Sequence, residues 1–258
     1  MEIWQCDAGG QYKHPRAPRR KPGQAKSSCA SSSAPTSASG GSHLGEGGVY
    51  TTPPPETFGS VYFPRENGGG GEGGRGGGAV RIVADRVRVD GAIRANGQAA
   101  GRAGAGGSVW IQAGELSGSG AIEAMGANGS DYGSGGGGAI SIEYGTVEPG
   151  AVLLDRLSTQ GGSTNLTGGA GTVYLRSGTQ SYGELVVDNG TVTGNRRTIL
   201  PALGKGAAGS GSGGATLATG RSKPIPAYFV GHWVEVRNGA TGALEGTWRI
   251  AAISADGW

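Results

Sequence analysis

Four short stretches decide the fold: GGGAVRI (residues 76–82), AGGSVWI (105–111), GGGAISI (136–142) and GAGTVYL (169–175). Each opens on small residues, mostly glycine, and then alternates apolar with polar side chains. Their last residues, Ile82, Ile111, Ile142 and Leu175, are spaced 29, 31 and 33 residues apart. A fixed period of this size marks a repeat architecture. The two-residue alternation marks a strand with one buried face. Val80, Val109, Ile140 and Val173 fall in one phase, and Arg81, Trp110, Ser141 and Tyr174 fall in the other.

More strand-like pieces follow within each repeat. RVRVDG (86–91) and AIRANG (92–97) complete the first, and ELSGSG (115–120) and AIEAMG (121–126) complete the second. GTVEPGAVLL (145–154) and SYGELVVDNG (181–190) play this part in the third and fourth. Glycine, asparagine and aspartate punctuate them, as sharp corners between strands require. The expected fold is all-β: a parallel β-solenoid of about four coils, each repeat forming one coil. Stacked coils lie about 4.8 Å apart. An irregular sandwich of hairpins is the alternative. The glycine tracts between coils are expected to be loops along one edge.

Composition agrees with a narrow interior. The 258 residues include 57 Gly and only 3 Phe, too few rings for a large aromatic core. The glycines do not recur at every third position, which excludes collagen. The net charge of +3 is concentrated at the front. Up to His43 there are six basic residues against Glu2 and Asp7, and the remainder carries about −1. A basic, serine-rich stretch with few apolar side chains is expected to be disordered. It has neither interleaved aromatics nor a recognisable module, so nucleic acid is not expected as a partner. Cys6 and Cys29 define no disulfide framework. No apolar run is long enough to span a bilayer, and residues 1–20 do not have the pattern of a signal peptide.

The expected organisation is therefore an N-terminal piece over residues 1–16 and a disordered arm over 17–57. Solenoid repeats follow over 58–190, a linker over 191–223 and a β-hairpin unit over 224–258. The hairpin is read as two strands around RNGATGAL, with Val230, Trp233, Trp248 and Ile250 forming a small core, and is expected to be truncated at Trp258. The glycine-rich linker does not form a phosphate loop. Ile199 stands where the first glycine belongs, and Gly206 follows Lys205 where Ser or Thr is needed.

Two resemblances bear on function. The opening MEIWQCDAGGQYKHPR (1–16) resembles the iron-binding region of intradiol ring-cleavage dioxygenases of the protocatechuate type. Glu2, Ile3, Trp4, Gln5, Asp7, Gly10, Tyr12, His14 and Pro15 carry it. The resemblance implies that Tyr12 matches an iron(III)-ligand tyrosine, and that a second tyrosinate and a His-x-His pair complete the site. The chain has only His14, His43 and His232, so no such pair exists. The expected cofactor is none, with Fe(III) the alternative if the resemblance extends to function. The stretches GGGAVRIVADRVRVDGAIRANG, GGSVWIQAGELSGSGAIEAMG, GGGGAISIEY and GAGTVYLRSGTQSYGELVVDNG resemble glycine-rich modules of large bacterial surface or secreted proteins. This likeness covers about half the chain. It implies an extracellular or cell-surface, adhesin-like setting and no catalytic residue.

Acidic residues are scattered over the solenoid, among them Asp85, Glu115, Glu123 and Glu143. Asp131 stands alone beside a glycine tract, too few acids for a calcium repeat. The outward column is the expected contact surface: Arg81, Trp110 and Tyr174 are candidate ligand residues, with the aromatic rings stacking on sugars. No catalytic residue and no metal ligand set is assigned. The expected function is a non-enzymatic surface module, structural or adhesin-like, that contacts cell-surface glycans or other surface proteins. The alternative is an enzyme: a polysaccharide-acting β-solenoid or a dioxygenase fragment.

Overall fold

The computed structural model describes residues 2–6, 12–13, 39–50 and 54–254. It is an all-β parallel solenoid of about three turns, with a partial fourth. Fourteen strands are present among the described residues. They are β1 (Glu2–Cys6), β2 (Tyr12–Lys13), β3 (Ala79–Arg88), β4 (Ala92–Arg94), β5 (Ala100–Arg102), β6 (Ser108–Ser117) and β7 (Ala121–Glu123). They continue with β8 (Gly129–Gly133), β9 (Ala139–Val147), β10 (Leu157–Ser158), β11 (Thr172–Ser177), β12 (Glu184–Val186), β13 (Trp233–Arg237) and β14 (Leu244–Arg249).

The first face stacks β3, β6, β9 and β11 in parallel. Its register is the one read from the repeat: Ile82 pairs with Ile111, Ile111 with Ile142, and Ile142 with Leu175. The second face stacks β4, β7 and β10, with Ile93 on Ile122 and Ile122 on Leu157. A third side pairs β5 with β8. Inside lies one aliphatic core, built from Ile82, Val109, Ile111, Leu116, Ile122, Ile140, Ile142, Leu153 and Val173. Antiparallel strands border the first face, β1 beside β3 and β12 beside β11. Covering strands at both borders keep a parallel stack from offering its long strands as open edges.

The glycine tracts are not edge loops. Gly68, Gly77, Gly104, Gly106, Gly136 and Gly137 are buried and bond backbone to backbone between coils. Residues 39–48, which composition assigns to the arm, thread through these tracts. Gly41 N–H donates to Ala103 O, Gly69 N–H to Ser42 O, Gly45 N–H to Gly137 O and Gly48 N–H to Ser134 O, all within 2.8–3.1 Å. His43 and Leu44 are fully buried there. The physical reason is that a chain without side chains lets backbones approach closely enough to satisfy each other's N–H and C=O groups. The start of the expected linker is drawn in as well: Arg197 N–H donates to Glu46 Oε2 (3.0 Å), and Ile199 N–H donates to Leu44 O (3.2 Å). Residues 17–38 of the expected arm lie outside the described residues, as do the side chains of Tyr12 and Asp131.

On the second face Arg94 lies over Glu123, 2.8 Å apart, with the arginine side chain mostly exposed. Glu123 also accepts from Asn96 Nδ2 at 2.9 Å. Burial pushes the Glu123 carboxyl up, but the hydrogen bonds from Asn96 and Arg94 outweigh it and hold the group below its ordinary range. An exposed pair of this kind contributes about 0–1 kcal/mol. Glu123→Gln keeps the shape and is expected to lower the melting temperature by no more than about 2–4 °C. A thermal melt checks this, and collapse of the fold would contradict it.

Candidate functional site

The structure brings Arg81, Trp110, Ser141 and Tyr174 into one column, as the repeat register requires. It does not leave them exposed: Trp110 and Tyr174 are each 3% accessible. The expected glycan-stacking surface is therefore corrected to a covered one. Residues 61–65, Val-Tyr-Phe-Pro-Arg, lie across it. Phe63 packs on Trp110 with ring centroids 4.9 Å apart, and Tyr62 meets Tyr174 edge-on at 4.9 Å. Ser141 Oγ donates to Tyr62 O at 2.7 Å, and Ser108 Oγ donates to Glu66 O at 2.6 Å, which fixes the covering segment. Arg81 and Arg65 lie over the Trp110 ring at 4.5 and 4.9 Å. The aromatic–cation column thus works as an internal seam. Nothing in the sequence marks the VYF run as the cover of this column.

The C-terminal hairpin docks on the same face. Asn238 Oδ1 accepts from Ala240 N–H and Thr241 N–H (3.0 and 3.1 Å), which shapes the turn between β13 and β14. Trp248, read from the sequence as core, is 52% exposed. Phe229, His232 and Arg249 anchor the unit instead. Arg249 lies 4.8 Å over Phe63 and reaches Glu143 Oε1 at 3.6 Å. His232 is buried edge-on to Tyr62 at 5.0 Å.

That environment sets a pH dependence. Burial lowers the His232 pKa from 6.5 to about 4, against the backbone groups of Phe229 and Tyr228 and with the Arg249 cation. The unfolded chain therefore takes up this proton first as pH falls. The stability associated with neutral His232 is complete above pH 6.5 and declines as pH falls from there to about 4. His43 contributes in the same direction, because burial lowers its pKa too, against the opposing charge of Glu66. Melting temperature is expected to fall by several degrees across this window, and His232→Gln to remove part of the slope. An unchanged slope in that variant would refute the assignment to His232.

Beside the covered column a trough of about 500 Å³ crosses the first face. Its origin is a slip in the alternation. Ala84 and Val87 both face the core side, so Asp85 and Arg86 between them are both exposed. Gly114–Glu115 and Gly145–Thr146 repeat the slip in β6 and β9. The slips stack in register from coil to coil. The wall is the next column inward, Val83–Gln112–Glu143–Arg176. Glu143 Oε2 accepts from Gln112 Nε2 (3.3 Å) and from Arg176 Nη2 (2.9 Å). Arg176 is held charged above its ordinary range, chiefly by that hydrogen bond. Sequence reading missed this column because it sought aromatic rings rather than polar side chains around small ones.

Among the described residues no group of three His, Cys, Asp or Glu side chains converges. No known protein family, curated protein or solved structure matches this chain.

Proposed function

We propose that this chain is a non-enzymatic, adhesin-like scaffold module of a bacterial cell-surface or secreted protein, with surface glycans or other surface proteins as its partners. The observation that carries the reading is how its carboxylates are held. Glu115 meets Arg86 at 3.0 Å, Glu123 meets Arg94 at 2.8 Å and Glu143 meets Arg176 at 2.9 Å, each across neighbouring coils. Carboxylates paired to guanidinium groups rung by rung suit a structural role, whereas general acid–base work needs a carboxyl free to reach a substrate. The two described histidines are buried inside packing contacts, His43 in the glycine bundle and His232 under the hairpin. The likeness of the repeats to bacterial surface modules supports the location. An antibody against the folded chain, applied to intact cells of the producing organism, is expected to label them without permeabilisation. Labelling confined to permeabilised cells would overturn the surface assignment.

A further inference from the structure

We infer that the trough over Gln112, Glu143, Tyr144 and Arg176 is a binding groove for a neutral, linear glycan lying along the solenoid axis; this rests on the non-enzymatic module reading above. Its direction follows from the register. Val83, Gln112, Glu143 and Arg176 occupy successive coils at one position, so the groove runs across the strands rather than along them. Successive groups are therefore about 4.8 Å apart, a spacing suited to a polymer that offers hydroxyls at every unit.

The floor is exposed glycine at positions 114, 145 and 178, which admits a flat ring to the backbone. The wall is preorganised. Glu143 holds both Gln112 and Arg176 through one oxygen, so those side chains are fixed before any ligand arrives. Glu143 Oε1 faces the Arg249 guanidinium at 3.6 Å, which ties the wall to the hairpin. Planar amide, carboxylate and guanidinium groups are suited to paired hydroxyls.

Other ligand classes fit less well. An extended peptide would need free main-chain groups to pair with, and β3, β6, β9 and β11 already bond to one another. A polyanion would meet Asp85 and Glu143, and a polycation would meet Arg176 and Arg249. Lipid needs a deep apolar cavity, which an open trough with a polar wall does not supply.

The test uses the full chain and a panel of cello-, xylo-, manno-, malto- and chito-hexaoses, with oligogalacturonate as the acidic comparison. Calorimetry is expected to show one of the neutral oligomers binding. Gln112→Ala is expected to weaken that binding about tenfold, the equivalent of about 1.4 kcal/mol. Gly178→Leu, where an added Cβ would meet nothing closer than 3.6 Å, is expected to block the floor without disturbing the fold. Arg65→Ala, over the covered column, is expected to leave binding unchanged. Binding to none of the neutral oligomers, preference for the acidic one, or indifference to both Gln112→Ala and Gly178→Leu in chains of parental melting temperature would each overturn the groove. Release of new reducing ends would instead overturn the non-enzymatic reading and leave the groove standing.

Discussion

Ile111→Asp is expected to abolish cooperative folding. Ile111 is fully buried at the middle of the first face, paired to Ile82 on one side and Ile142 on the other. Deleting a core aliphatic side chain of this size costs about 2–5 kcal/mol. Placing a carboxylate there adds the cost of an unpaired buried charge, which the group relieves only by taking up a proton. Together these match or exceed the roughly 5–15 kcal/mol by which domains are stable. Ile111→Val removes one methylene and is expected to cost about 0.5–1.5 kcal/mol, so it serves as the graded control. Thermal melts followed by far-UV circular dichroism distinguish the outcomes. If Ile111→Asp melts like the parent, the inward and outward faces are exchanged. The coil register and the groove placed on the outer face then fail with them.

That register was legible because a strand has a strict two-residue period and the repeats keep its phase. Val109 and Ile111 on either side of Trp110, and Ile140 and Ile142 on either side of Ser141, have one reading as half-buried strands. The pairing of Arg94 with Glu123, 29 residues on, follows from the same alignment. What covers the outer face was not legible. Val61, Tyr62 and Phe63 reach Trp110 and Tyr174 by tertiary packing, and no local period announces a contact between residues 79 positions apart, such as Tyr62 with Ser141. The trough was hidden for a related reason. It arises where the period slips, at Asp85, Gly114 and Gly145, and a slip looks like the end of a strand. Least legible of all was SGGSHLGEGG (39–48), whose composition matches that of a disordered linker. Glycine carries no side-chain pattern, so the sequence does not distinguish a glycine tract that is free from one packed backbone to backbone.

That distinction yields the other large expected effect, between two adjacent residues of identical type. Gly77→Ala is expected to destabilise the fold severely, and Gly78→Ala to be neutral or slightly stabilising. A Cβ on Gly77 would lie 2.5 Å from Gly107 N and 2.7 Å from the Ala95 carbonyl carbon, and closer still to the Ala95 oxygen. All three are backbone atoms of the segments after β4 and before β6, so no side chain can swing away. The Gly77 backbone is itself fixed, donating to Ala105 O at 2.8 Å and accepting from Gly68 N–H at 2.9 Å. Relief requires moving the chain after β4, and with it the glycine bundle. A Cβ on Gly78 would meet nothing within 4 Å. The stack explains why. Gly107, Gly138 and Gly171 occupy the equivalent position in later coils, and a Cβ on each would run into the carbonyl of the coil before it. Gly78 belongs to the first of these coils and has no earlier one beneath it. There an alanine mainly restricts the unfolded chain, which stabilises by about 0.4–1 kcal/mol where the backbone conformation suits it. The chain already carries one such exchange. The position of Gly77, Gly106 and Gly137 is taken in the fourth repeat by Ala170, in the coil that has no second-face strand to collide with. Melting the two single variants beside the parent is decisive. Equal behaviour of Gly77→Ala and Gly78→Ala would mean that the glycine tracts do not pack backbone to backbone, and that the solenoid is closed on its third side by something else.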